Sequence, residues 1–215
     1  MTEERPGQHR LAWAINMLVN PLTAAPVLMG FVVAHAGAGP DTLVKVVIAA
    51  CVGYVVLPLA LLLSLKKQGL IGSIEARDQK QRSKALRQGT ALLVVAGFGC
   101  WLVAGDVQRS VAIVAMVLVI HLILARIITP RLKVSLHVAA VSGMVSMLLM
   151  LEWLSGNDMP FSPWIHVILL VLMPVMMWAR MADGAHSRNE VIAGLFFGLF
   201  LPPVLLWMLD AAWLL

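Results

Sequence analysis

Residues 166 to 207 read "HVILLVLMPVMMW", then "ARMADGAHSRNE", then "VIAGLFFGLFLPPVLLW". Two long apolar runs flank twelve residues that hold Arg180, Asp183, His186, Arg188 and Glu190. The chain as a whole is 60% hydrophobic and only 13% charged. A soluble domain is nearer half apolar and a quarter charged. Each run approaches the roughly 20 residues that an α-helix needs to cross a bilayer. The stretch is therefore a helical hairpin across a membrane, with its polar turn at one face.

Working outward, the same pattern predicts an all-α, polytopic membrane helix bundle. About seven spans are expected, near 11–36, 43–65, 89–105, 109–129, 134–154, 163–181 and 190–213. "GDVQR" separates the third and fourth as a tight hairpin, and "SGNDMPFSP" is a turn between the fifth and sixth. The longest polar segment, 66–89, is too short for a domain, so residues 1–215 read as one transmembrane domain. Prolines 21, 26, 58, 174, 202 and 203 fall inside spans and are expected to kink them. Glycines 143, 194 and 198 are expected to let helices approach closely. Cys51 and Cys100 lie in apolar runs and read as buried thiols without a disulfide. The polar opening "MTEERPGQHR" and the long apolar run after it argue against a cleaved signal peptide.

Charge gives the orientation. Of the 16 Lys and Arg residues, only Lys45 and Arg109 fall on the side opposite the Arg180–Glu190 turn. Cytoplasmic loops carry the excess of Lys and Arg, so this face is expected in the cytoplasm of a bacterial inner membrane. An odd number of spans would send "DAAWLL" to the other side. The net charge of +5 is explained by this bias rather than by nucleic acid. Trp101, Trp153 and Trp164 near the far turns, and Trp13 and Trp178 near the basic face, fit an interfacial belt.

Three polar clusters then converge on one face: "EARDQKQRSKALR" (75–87), "RLKVSLH" (131–137) and the opening stretch. Arginine supplies a planar fork of donors suited to phosphate. His137 and His186 can serve as acid–base group and nucleophile. Glu190, four residues after His186, shares its helical face and can orient its imidazole. No zinc-type Cys/His spacing and no carboxylate-rich magnesium site appears, so metal-free phosphoryl chemistry without a cofactor fits these residues best.

These clusters resemble the motifs of the type 2 phosphatidic acid phosphatase (PAP2) superfamily, K-x6-R-P, P-S-G-H and S-R-x5-H-x3-D. Arg180, His186 and Glu190 reproduce the third spacing, and Ser135-Leu136-His137 reproduces S-x-H of the second. Lys80 and Arg87 have the K-x6-R spacing without the proline. A variant form, D-R-x-x-R-x-x-P, fits with Arg82 as the motif arginine and Arg77 as second candidate, Ala85 standing for the proline. Leu136 stands for the motif glycine, Ala179 for the serine and Glu190 for the aspartate. The likeness covers about residues 75–198. It implies a divergent bacterial-type phosphatase of a lipid phosphomonoester or diphosphate, working through a phosphohistidine. His186 would be the nucleophile, Glu190 its orienting partner and His137 the general acid. Arg82, Arg180, Ser135, Arg77 and Lys133 would hold the phosphate oxygens.

The alternatives are a catalytically degenerate lipid-phosphate binder or transporter, and a structural subunit of a membrane complex. Arg131, Arg188, Lys66, Lys67 and Lys84 are explained by orientation alone. His121 reads as a helix-packing hydrogen bonder, and His35 and His166 as interfacial. Asp183 is expected to cap the last helix or to be solvated.

Overall fold

The computed structural model describes residues 6–72, 79–128, 131–154 and 163–214, the side chains of 6–9, 79–85 and 210–214 apart. These residues are almost entirely helical. The helices are α1 (Pro6–Leu18), α2 (Pro21–His35), α3 (Pro40–Lys67), α4 (Gln79–Leu102), α5 (Gln108–Ile128), α6 (Leu136–Leu154), α7 (Pro163–Ala182) and α8 (Arg188–Leu214). Five of them are long and apolar enough to cross a membrane, and six spans result if α1 and α2 count as one bent span. Many large apolar side chains face outward, such as Val171 of α7 and Phe200 of α8. In water they would be a liability; against lipid they are in their own solvent. The chain is an integral membrane protein.

Among the described residues the expected count of seven is not reached. The predicted first span, 11–36, is two helices bent by 42°. Pro21 has no N–H to continue the ladder, and Asn20 Oδ1 accepts the Leu22 N–H at 3.0 Å, so Asn20 starts a new helix. The predicted third span, 89–105, stops at Leu102, and its apolar part, Leu86–Leu102, is shorter than the other candidates. A 3-10 turn at Gly105–Val107 then leads into α5, forming the short hairpin expected at "GDVQR".

The described chain divides into two compact units. One comprises Ala25–Arg131 with Leu205–Leu215. Within it α3 contains a π-helical turn, Cys51–Val56, one residue before Leu57-Pro58. Pro58 cannot donate to the carbonyl four residues back, and the widened turn absorbs the lost bond without ending the helix. That turn presents Gly53 to α4, where an added Cβ would lie 2.6 Å from Ala96 Cβ. Gly97 of α4 meets Ala115 of α5 in the same way, at 2.8 Å. Both cysteines are free; Cys100 is buried as expected, but Cys51 is exposed, contrary to expectation.

The other unit comprises Met1–Ala24 with Leu132–Val204. Here α7 packs against both α1 and α6. An apolar cluster of Val138, Val141, Met176 and Val191 joins α6, α7 and α8, and Ile15 of α1 and Val19 just after it pack on it. The three glycines do what the sequence predicts. Gly143 of α6 faces Gly198 and Pro202 of α8, Gly198 lies on Ser142 and Ala139, and Gly194 lies on Ser135. Ser146 Oγ donates to the Gly198 carbonyl at 3.0 Å, a bond that the close approach makes available. At the far end of the α6–α7 pair, His166 Nε2 lies 3.1 Å from Glu152 Oε2, within ion-pair range though not aligned as a hydrogen bond.

Candidate functional site

Arg180 ends α7 and Glu190 begins α8, and the turn between them is built by backbone bonds. Gly184 has φ +65°, a left-handed conformation that costs a residue with a Cβ but not glycine. It reverses the chain so that the Gly184 N–H meets the Met181 carbonyl at 3.0 Å and the His186 N–H meets the Arg180 carbonyl at 3.2 Å. The five-residue interval between Arg180 and His186 is therefore the length of a helix stop followed by a helix start. Lys133 Nζ donates to the Ala185 carbonyl at 3.3 Å and braces this turn from the segment before α6.

His186 Nδ1 lies 3.0 Å from Glu190 Oε2. A carboxylate only accepts, so Nδ1 carries a proton, and in the neutral ring Nε2 then keeps its lone pair. The same Oε2 accepts the Ser187 N–H at 3.0 Å, and Ser187 Oγ accepts the Glu190 N–H at 3.4 Å. Ser187 and Glu190 thus form a reciprocal capping box at the start of α8. Ser187, not Asp183, caps the last helix. The signature S-x-x-E was present in the sequence and gives Glu190 a structural duty beside any catalytic one.

Ser135 immediately precedes α6, and its N–H donates to the Glu190 carbonyl at 3.2 Å. This bond ties the second motif cluster to the third. Gly194 makes it possible, because a Cβ there would lie 2.6 Å from the Ser135 carbonyl oxygen. Ser135 sits where a helix cap would, with its carbonyl accepting the Ala139 N–H. Its hydroxyl makes no capping bond: Oγ is buried without a hydrogen-bond partner. His137 follows in the first turn of α6, half-buried. Arg180 is 3% exposed and His186 8%.

One unit therefore carries Ser135, His137, Lys133, Arg180, His186 and Glu190. The first-motif candidates are not placed with them: Arg77 lies outside the described residues, and Arg82 lies in α4 with its side chain outside them. Among the described residues no group of three or more His, Cys, Asp and Glu comes together as metal ligands. Sequence reasoning missed Asn16 of α1, which is fully buried in the same unit with Oδ1 and Nδ2 lacking partners. An asparagine inside an apolar run was the available signal.

No family model, curated protein or solved structure matches the chain. What is established is an α-helical integral membrane protein with five or six apolar spanning helices.

Proposed function

We propose that the protein is a membrane phosphohydrolase of a lipid phosphate, similar in chemistry to the PAP2 superfamily. The observation that carries this is the His186–Glu190 pair at 3.0 Å, which fixes the tautomer a nucleophilic imidazole needs. His186 Nε2 attacks phosphorus and forms a P–N bond while the bond from phosphorus to the lipid oxygen breaks. His137 gives that oxygen its proton. Water then attacks the phosphohistidine, His137 takes the water's proton, and the P–N bond breaks to release inorganic phosphate. The His186 ring becomes positively charged in the first step, and the Glu190 carboxylate beside Nδ1 stabilises it. Arg180, Ser135 and Lys133 are the donors for the non-bridging oxygens. The scarcity of converging carboxylates supports a route without a metal ion.

The test is phosphate release by the purified protein from a panel of phosphatidate, phosphatidylglycerophosphate and polyprenyl mono- and diphosphates. His186→Ala should lower turnover by roughly 10³-fold or more. Labelled phosphate should be trapped on His186 in the wild type. Equal turnover by His186→Ala and wild type overturns the assignment.

Burial of Ser135 Oγ and the capping duty of Glu190 favour a second reading, a lipid-phosphate binder without turnover. It predicts saturable binding of the same lipids with no phosphate release.

A further inference from the structure

The α6–α7 pair carries a second polar feature, at the end opposite Ser135 and Arg180. Glu152 sits two residues before the end of α6, and His166 three residues after the start of α7. Their side chains are only 14% and 17% exposed, in helices where an ionisable group is costly to keep. His166 Nε2 lies 3.1 Å from Glu152 Oε2, close enough for a hydrogen bond, yet Nε2 is buried and makes none. The carboxylate oxygen therefore stands beside the line along which the ring nitrogen holds its proton or lone pair. A simple ion pair would close that angle, because aligned charge-assisted bonds are the stronger ones.

Two donors on one metal ion have this relation instead. Zn–N and Zn–O bonds near the tetrahedral angle hold their donor atoms roughly 3.3 Å apart, and each donor points at the metal rather than at the other. Imidazole with carboxylate suits zinc and its neighbours in the transition series, whereas calcium and magnesium take oxygen alone. Trp153 follows Glu152 directly and Trp164 precedes His166 by two residues; both rings are exposed, which marks the headgroup level where ions arrive from water.

The geometry points to a zinc-class metal site formed by Glu152 and His166, which ties the far end of α6 to α7. Among the described residues no third His, Cys, Asp or Glu joins them, so water fills the remaining positions. The site therefore binds more weakly than a closed four-ligand one. Glu152 lies fifteen residues after His137 on α6, roughly 22 Å along the helix, so the ion is structural and has no part in phosphate chemistry. It stands independently of the phosphohydrolase reading.

The experiment uses the full chain in detergent, freed of metal with a chelator. Thermal unfolding and calorimetric titration with Zn2+ are the readouts. Saturating Zn2+ should raise the unfolding temperature of the wild type by roughly 5 °C, and Mg2+ should not. His166→Gln and Glu152→Gln should each lose the shift. Each should weaken Zn2+ by at least the roughly 10–100-fold that loss of a mere outer partner costs. His137→Gln and His186→Gln should keep both, which separates this site from the histidines of the candidate site. Three results overturn the assignment: no shift in wild type, a shift that survives both Glu152→Gln and His166→Gln, or a shift lost in His186→Gln or His137→Gln. Any of them leaves Glu152 and His166 an ion pair only. Where a Gln variant does not fold, Glu152→Asp replaces it. Aspartate keeps the carboxylate but withdraws it from the ring, and should weaken Zn2+ several-fold; wild-type affinity in that variant also overturns the site.

Discussion

At the scale of single residues, Glu190 has a capping duty and, in the proposed function, a catalytic one, and mutation can separate them. Its Oε2 accepts from both the His186 ring and the Ser187 backbone. Gln keeps an acceptor oxygen for the cap but loses the charge that stabilises a positively charged ring. Glu190→Gln should therefore leave the unfolding temperature nearly unchanged while lowering turnover, about a hundredfold less severely than His186→Ala. Ser187→Ala is the complement. It removes the side-chain half of the cap, should cost about 1 kcal/mol in stability, and should leave turnover per folded molecule close to wild type. Thermal unfolding and phosphate-release rates on the same preparations check both, and a Glu190→Gln variant as unstable as Ser187→Ala would reverse the division of labour. The third cluster was legible in the sequence because its spacing is local, although His186 meets Glu190 from the turn before α8 rather than from a shared helical face. The orphaned Ser135 hydroxyl and Asn16 were not, because burial depends on which helices pack together.

Elements meet in this protein through glycine. A Cβ on Gly194 would strike the Ser135 carbonyl, and one on Gly198 would strike Ala139 and the Gly143 backbone nitrogen. Those neighbours are backbone and cannot rotate away, so α6 and α8 must separate. Gly198→Ala should destabilise by about 1–3 kcal/mol through this overpacking. Ser146→Ala removes one interhelical hydrogen bond and should cost only about 0.6 kcal/mol. Chemical or thermal unfolding in detergent ranks the two, and the reverse ranking would mean that hydrogen bonding, not close packing, holds α6 to α8. Gly194→Ala should also lower turnover, because it pushes on the residue whose N–H holds the Glu190 carbonyl. Helix existence was readable from apolar run length alone. The breaks were less so: Asn20-Pro21 splits one expected span, while Pro58 merely widens a turn, and the difference lies in whether a side chain such as Asn20 Oδ1 is there to start a new helix.

For the molecule as a whole, charge fixes expectations about sidedness. In the topology expected from the sequence, Arg5, Arg10, Lys66 and Lys67 have no place in the motif clusters yet fall on their side of the membrane. In a variant lacking Cys51 and Cys100, a cysteine at Ser83 should resist an impermeant maleimide in intact cells, and one at Asn157 should react. The opposite labelling pattern would invert the orientation and leave the chemistry untouched. Turnover should survive EDTA; complete loss restored by magnesium would refute the metal-free route. The number of spans was the part of the architecture least legible in sequence, because apolar length does not reveal whether a run is one helix or two.

The turn at Gly184 has a further consequence. Surface connections usually accept inserted residues, since added chain simply bulges into water. Between Arg180 and His186 the chain acts as a gauge. One extra residue would break the His186 N–H bond to the Arg180 carbonyl and shift the imidazole relative to Arg180. A single alanine inserted after Asp183 should therefore abolish turnover in a protein that still reaches the membrane, whereas the same insertion after Gly156 should be tolerated.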